Sequence, residues 1–353
     1  MQYRIPIFRP PALDLRLLHK YLEPSILAGR YSNWGPAEQL LEQRLCDHFG
    51  LRAGQLTLLS NATLALEAAL TTRSQPGEEW VLPSWSFAAT GLAALRSGVT
   101  FSFGDVGIRD GVLIPVRGSD RIMGVAPFGA SPIGPSFHQM DIVDAAASFD
   151  AMEGQGPNLA LNAGYVVSLH ATKTLASGEG GVFISKDMEW VQKVKSFANF
   201  GFANGVRSSM QVGTNAKMSE VTAAFGLASL DAWQNGLRDR WRDVARKAKS
   251  ISSSAGFDSF FAVEEGYGSP YWILKLDSSA DRKNLIREMA QSAIETRDWW
   301  GEGMHVMKPF LGINRGYLEN TLSWVSTSVA LPLYPSMNAS DFKSIQGVLE
   351  RVS

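Results

Sequence analysis

A single cysteine, Cys46, stands in the 353 residues, so no internal disulfide can form and no thiolate cluster is available for a metal. Histidine is also scarce: the five (His19, His48, His138, His170, His305) show no ligand spacing, which argues against metal catalysis. Charge of one sign is not in excess. With 33 Lys and Arg against 34 Asp and Glu, the net charge of −1 makes a nucleic-acid role unfavourable. The basic stretch Arg238 to Lys249 is broken by Asp239 and Asp243, and reads as the solvated face of a helix in which Asp243 precedes Lys247 by four residues. No apolar run is long enough to span a membrane, and Met1-Gln2-Tyr3-Arg4-Ile5-Pro6 lacks the apolar core of a signal peptide. A soluble cytoplasmic protein is expected.

Apolar residues are plentiful at 45%, enough for a sizeable core, and the length allows two domains. Strand-sized runs near Trp80–Leu82, Ile122–Ala126, Asp141–Val143, Tyr165–Leu169 and Gly181–Ile184 alternate with helical patterns over Ala37–Phe49, Ala62–Leu70 and Phe87–Leu95. That alternation predicts an α/β unit with a mostly parallel sheet. Gly129 to Ser136 reads as a loop at a strand end. After Met218 a helix is expected to bury the stripe Met218, Val221, Phe225 and Ala228, and a second helix from about 237 to 250 leads away. Strand-like Tyr271–Leu276 and Ser326–Leu331, with helices at Arg282–Gln291 and Ala339–Val352 capped by Asn338, predict a smaller α+β domain. The expected division is residues 1–236 and 237–353.

The segment with most chemical content is Ser168-Leu169-His170-Ala171-Thr172-Lys173, followed by Gly178-Glu179-Gly180-Gly181. A lysine just past a strand, with a hydroxyl five residues before it and a glycine-rich turn after it, is arranged to form a Schiff base beside an anion site. Asn61 stands where it can cap a helix whose first-turn N–H groups, with the Thr63 hydroxyl, form a phosphate seat. Leu64 replaces the glutamate of a capping box. Asp144 closes a strand and is followed by Ala145-Ala146-Ala147, so its carboxylate can meet a pyridinium nitrogen in the crevice at the strand ends; a helix-capping aspartate is the alternative. An aromatic of Trp85-Ser86-Phe87 can stack on a flat cofactor or fill the core.

Taken in order, these motifs resemble the sugar-nucleotide aminotransferases of the DegT/StrS type, within the aspartate-aminotransferase (fold type I) pyridoxal-phosphate enzymes. The resemblance runs over nearly the whole chain, from Ser32-Asn33-Trp34-Gly35-Pro36 and Asn61-Ala62-Thr63 through Ser168 to Gly181, Gly213-Thr214-Asn215 and Thr296-Arg297 with His305, to Leu331-Pro332-Leu333-Tyr334-Pro335. It implies an aspartate-aminotransferase-like large domain, a smaller C-terminal domain, pyridoxal 5'-phosphate as cofactor and a homodimer. Residue by residue, Lys173 is implied as the Schiff-base lysine, Asp144 as partner of the pyridine nitrogen and Phe87 as the stacking aromatic. Thr63, the Leu64 N–H and Ser168 are implied at the phosphate, and Asn215 at the phosphate of the neighbouring subunit.

Two positions depart from the pattern. Ala147 stands where the family carries glutamine or histidine, so a contact near the cofactor's ring oxygen is missing or supplied elsewhere. Ala198-Asn199-Phe200-Gly201 stands where arginine-x-histidine-glycine is the rule. The resemblance implies transamination of a nucleotide-linked keto-sugar, a 4-keto-6-deoxyhexose, with glutamate as donor. A related pyridoxal-phosphate reaction on a sugar or cyclitol, or a ligand-sensing regulator without turnover, are the alternatives. The Trp299-Trp300 pair is expected either against the substrate or in the domain interface.

Overall fold

The computed structural model describes residues 3–115, 118–203 and 205–353. Seven strands form the main sheet: β1 (Leu56–Leu59), β2 (Glu79–Pro83), β3 (Thr100–Gly104), β4 (Arg121–Val125), β5 (Ile142–Asp144), β6 (Gly164–Ser168) and β7 (Gly181–Ser185). Their spatial order is β1-β7-β6-β5-β4-β2-β3. Only β7 runs against its neighbours, pairing antiparallel with both β1 and β6. The strands are nearly continuous apolar runs because helices cover the sheet, leaving little reason for polar alternation. β1 and β3 had no counterpart among the expected strands.

A two-stranded antiparallel sheet, Trp272–Lys275 with Ser328–Leu331, lies in the C-terminal part, flanked by the helices Ser279–Gln291 and Ala339–Val352. Asn338 caps the last helix through a full capping box with Asp341. Ser326 and Thr327 belong to the helix Glu319–Thr327, which shortens the strand expected from Ser326. The first described residues do not stay with the main sheet: Arg4 and Ile5 donate backbone hydrogen bonds to Ala293, and Glu295 donates one back to Ile5.

The helix after Met218 spans Glu220–Ala232; Met218 and Ala228 of the expected stripe are buried, and the other two positions are not. Ala223, Ala224, Leu227 and Ala228 face inward, whereas Val221 is 52% exposed and Phe225 half-buried. Small residues let this helix approach the neighbouring helices Leu15–Leu27 and Pro36–Phe49 closely, so the larger side chains are turned aside. The next helix, Arg238–Ser254, buries Trp241, Val244, Ala245 and Ala248. On its polar side Asp243 pairs with Arg246 rather than Lys247, which lies over the Phe342 ring. Arg242 grips the fully buried Asp150 carboxylate at 2.7 and 2.9 Å, and Gly268 N–H donates to the same group at 2.7 Å. A buried carboxylate needs such compensation. Among the described residues no helix is long and apolar enough to cross a membrane.

Candidate active site

Lys173 lies on the loop that connects β6 to β7, and the sheet itself closes that loop by pairing Ser168 with Gly181. Inside it, Leu169 N donates to Gly180 O and Ala171 N to Gly178 O, so the lysine backbone is fixed from both sides. Gly178 has φ +81°, a conformation that other residues adopt only under strain. Gly181 serves a different purpose. A Cβ there would stand 2.4 Å from the Asn61 backbone, so only glycine lets the start of the helix Ala62–Arg73 sit directly against β7.

That helix start is capped as expected: Asn61 Oδ1 accepts from Leu64 N at 2.9 Å. The Leu64 N–H, expected at a phosphate, is therefore engaged by its own cap in this structure. The amides of Ala62 and Thr63, which have no intrahelical acceptor, remain at the positive end of the helix dipole. The Ser168 Oγ accepts from His170 N at 3.2 Å, which leaves its own hydrogen to donate.

Asp144 ends β5 and is buried. Its Oδ2 accepts from Thr90 Oγ1 at 2.8 Å and its Oδ1 from Ala146 N at 3.1 Å. Burial raises its pKa above the ordinary aspartate value, opposed by these two hydrogen bonds and by the charge of Lys173. A cation beside this carboxylate would relieve the cost of burying it ionised. Lys173 Nζ donates to the Tyr271 hydroxyl at 2.8 Å. Tyr271 precedes the first strand of the small sheet, so the C-terminal part of the chain reaches the lysine directly.

These groups line one cavity of about 770 Å³, within the range of small-molecule sites. Thr63, Leu64, Phe87, Asp144, Ser168 and Lys173 all contribute to its wall, as do Ala147 and Tyr271. Phe87, the N-cap of the helix Ala88–Ser97, is 57% exposed and presents its ring at the opening. The Trp299-Trp300 pair divides its work. Both line the cavity: Trp300 is stacked on Phe128 at 4.0 Å in an aromatic core with Trp85, and Trp299 packs edge-on to Tyr271. Asn215 is not among the lining residues; it is exposed, and its Oδ1 accepts from Lys217 Nζ at 2.7 Å. His305 is buried away from the cavity, with Nδ1 2.6 Å from Ser84 Oγ.

Two residues escaped the reading of the sequence. Thr90 stands three residues after Phe87, and that helical spacing was an available signal. Tyr271 comes from nearly one hundred positions beyond Lys173, and no local pattern joins them. The assembled donor set fits pyridoxal phosphate: an amine, a buried carboxylate, two hydroxyls and free helix N-terminal amides converge on a pocket with room for a ring.

Comparison with known proteins agrees with this geometry. The sequence pattern described as the DegT/DnrJ/EryC1/StrS aminotransferase family matches residues 17–122 and 138–350. The dTDP-4-amino-4,6-dideoxy-D-glucose transaminase of Escherichia coli is 30% identical over 365 residues, covering 95% of both chains. The crystal structure of DesI in the presence of its TDP-sugar product superposes with a TM-score of 0.84 at 25% identity, covering 99% of this chain and 93% of that one. An aminotransferase from Brucella abortus shares the fold at a TM-score of 0.80 and 21% identity, over 96% of this chain and 95% of its own.

Proposed function

The chain belongs to the DegT/DnrJ/EryC1/StrS aminotransferase family and is a pyridoxal-phosphate-dependent aminotransferase; from that premise we propose that it aminates a nucleotide-linked 4-keto-6-deoxyhexose, with glutamate as amino donor. The observation that carries the reading is the convergence of the Lys173 amine and the buried Asp144 carboxylate on one cavity large enough for a cofactor and a sugar. The name of the Escherichia coli relative supports a nucleotide sugar with an amine at C4, and the DesI complex, with its TDP-sugar product, supports a nucleotide-linked sugar.

When bound, the cofactor supplies the electron sink that transamination requires. Asp144, oriented by Thr90, holds the proton on the pyridine nitrogen. Lys173 would hold the cofactor through its amine and would carry a proton to and from the substrate carbon that bears the nitrogen. Thr63, Ser168 and the first-turn amides would hold the phosphate, and the Phe87 ring would stack on the cofactor; all line the cavity. Asn215 completes the corresponding site of a second copy in a homodimer. Its exposure and its absence from the cavity of its own chain support that assignment.

Incubation of the purified protein with glutamate and a panel of nucleotide-linked keto-sugars tests the proposal. A product carrying an amine at C4 is expected. Cofactor uptake with no amination of any of them would favour the ligand-sensing alternative instead.

A further inference from the structure

Pyridoxal phosphate carries its aldehyde next to a phenolic oxygen on the ring, so any group close to the lysine that takes the aldehyde is also close to that oxygen. In this cavity the Tyr271 hydroxyl lies 2.8 Å from Lys173 Nζ. The wall residue Ala147 offers only a methyl group, and it packs in the same apolar cluster as Tyr271 and Phe128. Two other polar groups of the wall are committed elsewhere: Asp144 to Thr90 and Ala146, and His170 to Thr172.

We propose that Tyr271 is the hydrogen-bond donor to the phenolic oxygen of the cofactor, supplying from the C-terminal part of the chain the contact that Ala147 cannot make. It is a positioning residue that also tunes the cofactor. The inference rests on Lys173 being the attachment point.

The ring is well placed to hold one orientation. It is 6% exposed, packed edge-on against Trp299 at 5.3 Å and 85°, and against Phe128 at 5.4 Å and 60°. Those contacts fix where the hydroxyl points without using it. Lys173 Nζ donates to the phenol oxygen, so the phenol hydrogen remains available. With the cofactor attached, that hydrogen is given to the negative ring oxygen. A donor to the charged form stabilises it, so the bound cofactor surrenders its exchangeable proton more readily and its visible band titrates at lower pH.

The test is a spectrophotometric pH titration of the cofactor-loaded protein. Tyr271→Phe keeps the ring and its packing, so thermal stability should match the parent while the titration midpoint rises by about one to two pH units, the worth of a charge-assisted hydrogen bond. Adding Ala147→Gln to that variant offers a donor from another wall position and should lower the midpoint again. An unchanged midpoint in Tyr271→Phe overturns the proposal. So does a raised midpoint that Ala147→Gln leaves untouched, because the phenol would then act on the lysine alone. A parent protein that takes up the cofactor without any visible band overturns both this inference and the attachment at Lys173.

Discussion

Thr90 donates its hydroxyl hydrogen to Asp144 at 2.8 Å, and Ser86 is held to Thr90 at the same distance. The carboxylate is thus aimed by a helix that packs on the sheet rather than by its own strand. Asp144→Asn should retain cofactor yet lose at least a hundredfold in turnover, the scale of removing one charge-stabilising group from an enclosed site. Thr90→Val should cost about tenfold, because it disturbs only the orientation. Steady-state rates beside the cofactor absorbance separate the two, and a loss of only a fewfold in Asp144→Asn would reduce that residue to a strand-end cap.

Borohydride reduction of the loaded protein followed by peptide mapping should place the pyridoxyl group on Lys173. Lys173→Ala should lose the label and all turnover while keeping the parent's thermal midpoint, since the side chain is only half-buried and its one hydrogen bond is to Tyr271. A label on another lysine would contradict the assignment.

Mixed assemblies report on Asn215. Co-expression of Lys173→Ala with Asn215→Ala should yield dimers that contain one intact composite site, with activity above that of either variant alone. Activity no higher than the better variant, or a monomer by sedimentation, would count against a shared site.

The buried Glu38 carboxyl makes stability depend on pH. Its Oε2 accepts from Trp34 N at 3.0 Å, and desolvation, with Glu220 and Glu42 nearby, pushes its pKa up to about 8. The folded chain therefore holds a proton that the unfolded chain has already released above about pH 4.5, so stability falls as pH rises between those values. Glu38→Gln removes this dependence. Relative to the parent, the variant should gain stability at roughly 1.4 kcal/mol per pH unit between about pH 5 and 8, measured by denaturant unfolding. A constant difference across that range would show that Glu38 stays ionised.

Much of the site was legible because each element carried its signal within a few residues. Asn61 before a helix, Asp144 at a strand end and Lys173 between a serine and a glycine turn are all local patterns, and all meet at the cavity. Val221 and Phe225 were expected inside Glu220–Ala232 because they are large and apolar, but alanine and glycine take much of the inward face, where burial comes from close helix approach rather than side-chain size. β1 and β3 are short and were lost beside the helices that follow and precede them. The contacts of Tyr271 with Lys173, and of Ile5 with Ala293 and Glu295, join distant parts of the chain, and periodicity holds no information about such pairs.

The one reversed strand has a kinetic meaning. Because β7 turns back along β6, residues 169–180 form a hairpin loop whose ends meet through neighbouring chain alone, while the parallel strands must wait for long crossovers. The lysine loop can therefore take shape early in folding, before the helix at Asn61 and the C-terminal sheet arrive to enclose it. Chain breaks introduced in the distant crossovers should then leave that hairpin intact, whereas a break between His170 and Gly180 would separate the amine from the register that holds it.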